Sequence, residues 1–366
     1  MIRAWLAAVL RGESPTWAFA ADQDLASIVE AANQEGVIAL IHERLQGAAQ
    51  GLDVPPELRE RFASAARAKA VQSLEREAQT RRILARLAQA GLRVLLLKGS
   101  ALAYWVYDSP YLRECADIDL LFATRADAEQ AAALLVELGY RSKPIAGDLT
   151  IYEVTCVRGD DDSPSYLEAD LHWGIGCTAM FAGCFDFAAL DAGSQPLPRL
   201  GPTARGLGPV HAYLHACIHR ILEVRVGRAN RLKWLFDLHL LAQRFSAEDW
   251  ESLVTLSEKK GLCGTCLHGL QAAVDTFGTR MPPTVVPRLL AGQRREAIDV
   301  ARMGSWVYIQ RMTLRALPSN VARLRWWAQR LWPRSGYLDA YYEGEQGRLR
   351  AFGRYVKRGL GNLKSR

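Results

Sequence analysis

Arg93-Val94-Leu95-Leu96-Leu97-Lys98-Gly99-Ser100 and, further on, Asp117-Ile118-Asp119-Leu120-Leu121-Phe122 are the two stretches that decide how this chain folds. The first is a short apolar run, the mark of a buried strand. It ends in Gly99-Ser100, and Ala101 to Tyr107 after it reads as a helix. The second is a buried strand that carries two aspartates. Residues two apart on a strand point to one face, so Asp117 and Asp119 stand side by side. Neighbouring carboxylates repel, and a cation is the usual remedy. Hard oxygen ligands suit Mg²⁺ or Mn²⁺. Between strand and helix, Gly99-Ser100 presents backbone N–H groups and a hydroxyl as a seat for phosphate, with the positive charge of Lys98 beside it. A plain strand-to-helix turn would also use the glycine, and the P-loop pattern is absent.

Working outward, Ala126 to Leu138 is an amphipathic helix ended by Gly139. Ile151 to Val157 and Tyr166 to Trp173 read as further strands around the polar turn Gly159 to Pro164. On the second of these, Glu168, Asp170 and His172 share one face. That face brings a third carboxylate, Glu168 or Asp170, toward the pair. Three carboxylates and a phosphate-gripping loop suit two-metal phosphoryl or nucleotidyl transfer. An exposed polar edge strand would show the same alternation.

Both flanks are helical. Asp24 to Gln46 has apolar spacing with a break near Gly36. Pro55-Pro56 opens a long helix from Glu57 to about Ala90, and Gly91 ends it. Gly174 to Gly208, rich in glycine, proline and small residues, looks like a connection. Helices then follow at Val210 to Glu223, Arg231 to Arg244 and Ala247 to Lys259. The expected organisation is an N-terminal helical region (1–90), a catalytic core (91–200), a helical domain (201–310) and a basic helical tail (311–366).

The net charge is +7, but Arg311 to Arg366 holds 11 Arg and two Lys against Asp339, Glu343 and Glu345, a net of +10. Such a tail fits nucleic acid or an anionic surface, or is a solvated basic helix pair. Seven scattered cysteines point to a reducing compartment, and the expected location is cytoplasmic. Cys263 and Cys266 form a lone CxxC with no second pair at zinc spacing, so they read as buried helix cysteines. Ala4 to Leu10 is apolar and Ala18-Phe19-Ala20 resembles a cleavage site. Arg11 to Pro15 breaks the run too early, however, and no signal peptide is expected. No stretch is apolar for the roughly 18 residues that suggest a membrane span.

Together, Leu97 to Ala101, Arg113, Asp117 to Leu121 and Asp170-Leu171-His172-Trp173 resemble a bacterial family of uncharacterised nucleotidyltransferases in the polymerase-β-like superfamily. Leu214 to His219 and Lys233 to Asp237 continue the match. The resemblance implies an α/β (α+β) fold: a polymerase-β-like core with a mixed sheet, flanked by N- and C-terminal helical regions. It implies a nucleoside triphosphate substrate, with ATP expected, and Mg²⁺ or Mn²⁺ held by Asp117, Asp119 and Asp170. It favours Asp170 over Glu168, and puts Lys98, Gly99, Ser100, Arg113, His172, His219, Lys233 and Asp237 on the nucleotide side. The gap from Ser100 to Asp117 exceeds that of the minimal superfamily motif, though it fits the narrower family.

Several residues keep two readings. Arg113 has the fork geometry to hold a triphosphate or pair with the carboxylates, or else forms a structural ion pair. His211, His215 and His219 share a helix face, a spacing open to zinc, but no fourth ligand is evident. Trp326, Trp327 and Trp332 interleave with Arg323, Arg325, Arg330 and Arg334, which suits nucleic-acid stacking or a membrane interface; core packing is the first reading. The acceptor is expected to be a small molecule or a peptide. Protein or tRNA modification, a non-catalytic nucleotide-binding scaffold and a glycosyltransferase are the alternatives.

Overall fold

The computed structural model describes residues 1–17, 19, 25–47, 53–144, 151–160, 166–176, 178–331, 353, 354 and 357. Helices α1 (Ile2–Leu10), α2 (Leu25–Glu35), α3 (Ile38–Gln46) and α4 (Pro56–Gln89) come first. The middle of the chain holds β1 (Leu95–Leu96), α5 (Lys98–Leu102), β2 (Asp117–Leu121), α6 (Arg125–Val136), β3 (Arg141–Ser142), β4 (Glu153–Arg158) and β5 (Leu167–His172). After them come α7 (Ala179–Ala182), α8 (Phe187–Ala192), β6 (Gln195–Pro196) and β7 (Arg205–Gly206). The remainder is helical: α9 (Pro209–Leu222), α10 (Leu232–Gln243), α11 (Ala247–Lys260), α12 (Cys263–Phe277), α13 (Val285–Gln293), α14 (Trp306–Ala316) and α15 (Asn320–Leu331).

The seven strands form one mixed sheet in the order β3-β4-β5-β2-β1-β7-β6. β2 pairs parallel with β5 and antiparallel with β1. Alternation along these strands sorts side chains onto two faces. Leu96, Ile118, Leu120, Phe122, Ala169 and Leu171 pack on one face against α6 and the C-terminal half of α4, through Ile83, Leu84 and Leu87. Burying such a side chain contributes on the order of 1.5–3 kcal/mol. Leu95, Leu97 and Leu121 join a second, larger core with the N-terminal helices and with α9 to α14. Asp117 and Asp119 alternate with Ile118 and Leu120, so they share the face of Leu121, toward α9 and α10.

Several sequence expectations change here. The helix after Leu97 runs only from Lys98 to Leu102, with turns reaching Ser109. The apparent connection at 174–208 carries β6 and β7, and β7 pairs parallel with β1. Two-residue strands are too short to leave a periodic signal. Cys263 and Cys266 are buried in α12. Trp326 is buried with Arg330 stacked on it, whereas Trp327 is half exposed. Trp332, Arg334 and nearly all of the chain after them, the polar turn at 161–165, Asp24, and Ala18 and Ala20 of the cleavage-like triplet lie outside the described residues. Among the described residues no helix is long and apolar enough to cross a membrane.

Candidate functional site

Asp119 lies directly beside Asp170 in the parallel β2–β5 register, and Asp117 lies beside Glu168. The side chains of Asp119, Asp170 and His172 converge, with one ligand atom from each within 4.8 Å of the others. Among the described residues this is the only such group of three. Glu168 points elsewhere: its carboxylate accepts from Lys143 Nζ at 2.9 Å and Tyr166 OH at 2.5 Å. The geometry therefore favours Asp170 as the third carboxylate.

The Lys98-Gly99-Ser100 turn is shaped by contacts to β2. Lys98 has φ +48°, the only positive φ outside glycine among the described residues, a conformation that costs roughly 1–2 kcal/mol. The turn aims Lys98 Nζ at Asp119 Oδ1, 2.5 Å away. A Cβ on Gly99 would lie 2.5 Å from Cys115 Sγ and 3.0 Å from Arg113 Nη1, so only glycine fits there. Ser100 Oγ donates to the Asp117 carbonyl and accepts from the Asp119 N–H, both at 3.1 Å. Because β1 turns away at Lys98, this hydroxyl takes over backbone groups that a longer strand would have satisfied. Ser100 thus holds the aspartate strand in place.

Asp119 is 1% exposed and accepts from two cations on the same oxygen: Lys98 Nζ, and His172 Nε2 at 3.1 Å. Burial alone would raise its pKa, but Lys98 and then His172 bring it well below the usual carboxylate range. His172 Nδ1 meets Glu153 Oε2 at 3.0 Å. Burial disfavours the imidazolium, yet the bonds to Asp119 and Glu153 push it up to about 9. For Lys98 too, burial is outweighed by the attraction of Asp119 and Asp117, and its pKa rises. The charge of Asp119, then burial, raises Asp117. Burial and then Asp119 push Asp170 up to about 7, although Thr155 Oγ1 donates to it at 2.6 Å. Glu153 and Thr155 are site residues that the sequence reading missed. They lie opposite His172 and Asp170 on β4, and the polar alternation within the expected strand was the available signal.

Helices α9 and α10 close the opposite side. A cavity of about 160 Å³ is lined by Lys98, Asp117 and Asp119 from the sheet, and by His215, His219, Lys233 and Trp234 from the helices. His215 is lowered to about 3 and His219 also falls, in each case through burial and then the charge of Lys98, so both imidazoles are neutral. His219 meets Trp234 edge-on at 4.8 Å and His211 packs on Phe185. Thus the three histidines do not gather as a zinc set. Arg113 is held away from the aspartates. Its Nε and Nη2 each donate to Asp237 at 2.7 Å, and Tyr107 OH donates to the same carboxylate. The structural ion pair is the reading that the geometry favours for Arg113, and it ties the loop before β2 to α10. Among the described residues Lys233 has no such partner: burial, then Arg113, lowers it to about 8.

A family model described as "Uncharacterised nucleotidyltransferase" matches residues 21–278 of the 366. No curated protein and no solved structure matches the chain.

Proposed function

The chain belongs to a family of uncharacterised nucleotidyltransferases. From that premise we propose that it moves a nucleoside monophosphate from a nucleoside triphosphate, ATP first, to a hydroxyl or other nucleophile of a small-molecule or peptide acceptor, releasing pyrophosphate. The observation that carries this reading is the convergence of Asp119, Asp170 and His172, with Asp119 also forming a wall of the cavity under α9 and α10. The polymerase-β-like placement expected from the resemblance is part of the same proposal.

The residues fit a divalent ion. The donors are carboxylate oxygens on one sheet face, which suits Mg²⁺ or Mn²⁺. Both ring nitrogens of His172 are taken by Asp119 and Glu153, so the imidazole orients a carboxylate instead of binding metal. The ion would be held by Asp117, Asp119 and Asp170, and would supply Lewis-acid neutralisation of the phosphate oxygens.

The chain's own part is positioning and proton movement. Lys98 brings a cation to the phosphates, and Gly99 lets the turn lie close. Asp170, which lies beside Asp119 with Thr155 Oγ1 donating to it, is placed to take the acceptor's proton. The acceptor oxygen bonds to the α-phosphorus, the bond from that phosphorus to the α–β bridging oxygen breaks, and its electron pair leaves with pyrophosphate. Arg113 and Asp237 fix α10 and, with it, the cavity wall.

The test supplies each α-labelled nucleoside triphosphate with Mg²⁺ or Mn²⁺ and candidate acceptors. Asp119→Asn and Asp170→Asn run alongside. Label transfer with pyrophosphate release, lost in both variants, is the expected result. Equal transfer by wild type and variants would reject the assignment.

A further inference from the structure

Behind the first cavity lies a second of about 510 Å³, and the two share Arg113, Cys115, Ala116, Arg231 and Lys233 as a common wall. We propose that this second cavity is the polyphosphate arm of the site: Arg76, Arg231 and Lys233 bind the β- and γ-phosphates of the nucleotide and then the pyrophosphate that leaves. The proposal rests on the transfer reading above and names a binding subsite that the aspartates do not supply.

Two observations of different kinds carry it. The first is a charge imbalance. Most cations near the aspartates are neutralised within the chain: Lys98 by Asp119, Arg113 by Asp237, and Lys69 by Glu114 at 3.3 Å. Among the described residues, Arg76, Arg231 and Lys233 have no carboxylate in ion-pair range. Arg231 lies over the Trp234 ring, 5.5 Å from its centre, which positions the guanidinium but leaves its donors available. The second is an orphaned donor: among the described residues Arg76 Nε is buried with no hydrogen-bond partner, on a residue that lines this cavity. A buried donor without a partner is costly, and a bound acceptor would satisfy it.

Lys233 is also fixed in place. Its stem crosses Gly36, at φ +69°, so closely that a Cβ there would collide with the lysine methylenes. Its lowered pKa agrees with a cation that lacks its counter-charge. Three convergent cations from α4, α10 and the turn before it suit an anion of several charges. Asp117 lines the first cavity and Arg76 the second, so a triphosphate with its α-phosphorus at the aspartates would reach Arg76 past the residues that both cavities share.

Calorimetric titration of the full chain with inorganic pyrophosphate in EDTA tests this without turnover or metal. Wild type is expected to bind, less tightly as salt rises. Arg76→Gln, Arg231→Ala and Lys233→Gln should each weaken binding roughly tenfold or more. Arg231→Lys, which keeps the charge, should retain most of the affinity, and circular dichroism checks that each variant is folded. Asp170→Asn should bind pyrophosphate as wild type does while losing transfer. The inference is overturned if wild type does not bind, or if folded variants bind unchanged. It is also overturned if glycerol phosphate binds and pyrophosphate does not, which would mark an anionic-acceptor site. Transfer activity with pyrophosphate affinity indifferent to the three cations rejects this subsite and leaves the proposed function standing. Cation-dependent affinity with no transfer by wild type does the reverse.

Discussion

On the sheet side of the cleft, one oxygen of Asp119 receives both Lys98 and His172, and Glu153 answers the far side of His172. On the helix side, Arg231 and Lys233 line the cavities with no carboxylate in ion-pair range among the described residues, where Arg76 also leaves a buried Nε without a partner. The acids are held in place by the chain's own cations, while the opposing cations have no such counter-charge among the described residues. A fold under stability selection alone has little reason to leave cations so poorly matched beside a buried acidic cluster. On the proposed function, the difference assigns the two walls to two parts of one anionic substrate: the reacting phosphorus to the aspartates and its polyphosphate to the cations.

The largest effect that would sharpen this comparison is on transfer. Asp119→Asn should lower it by roughly a thousandfold or more, the scale of losing electrostatic stabilisation of developing charge. It also leaves Lys98 and His172 without their carboxylate, so its melting temperature should fall. Asp170→Asn separates these effects. Asp170 accepts one hydroxyl bond and carries a raised pKa, so its variant should lose transfer with little loss of stability by thermal melt.

Next in size is the pair that joins the two walls. Arg113→Met leaves the carboxylate of Asp237 buried with only Tyr107 as donor, and should cost about 3–5 kcal/mol in urea unfolding. Arg113→Met combined with Asp237→Leu should recover much of that loss. If the double variant is as unstable as the single one, the ion pair is not what holds the walls together.

Glu153→Gln probes the sheet side more finely. It keeps a hydrogen-bond acceptor for His172 but removes the charge behind it. Because Glu153 acts on Asp119 only through His172, transfer should fall by about tenfold, the low end of the range for partners that orient a metal-binding residue. Unchanged transfer would mean that His172 needs no second carboxylate.

The smallest effect is a pH dependence on the helix side. Lys233 titrates at about 8 in the folded chain, against about 10.5 for an unperturbed lysine. Between those values the unfolded chain holds the extra proton, so stability rises with pH through that window, and the lysine is destabilising below it. Lys233→Met should therefore gain on the order of 1–2 kcal/mol at pH 7, after allowance for solvent screening, and little above pH 10.5. Urea titrations of both proteins across that range isolate the difference. A variant less stable than wild type at pH 7 would show that Lys233 has a counter-charge after all.

Much of the sheet side was legible in the sequence because strand alternation is strict. Asp117 with Asp119, and Asp170 with His172, are each two residues apart, and the parallel register brings Asp119 beside Asp170. Glu153 and Thr155 were hidden because a polar residue on a strand does not announce which neighbour it faces. Nor did local pattern predict the partner of Arg113, which lies 124 positions away. The cationic cavity was less legible still. Arg76 sits on a long helix whose outward faces are rich in Arg and Glu, and only the cavity that it lines with Arg231 and Lys233 singles it out. Ser100 differs again: its motif was visible, but the hydroxyl expected to seat phosphate is occupied by the β2 backbone.

The most direct test of the central claim is manganese binding followed by electron paramagnetic resonance, with a non-reactive α,β-methylene nucleoside triphosphate, in wild type, Asp119→Asn and Arg76→Gln. The account predicts that the ion binds wild type, that Asp119→Asn loses it, and that Arg76→Gln keeps the ion while weakening the nucleotide. Manganese bound equally well by wild type and Asp119→Asn would contradict the account, because the convergent aspartates would then not be where the chemistry occurs.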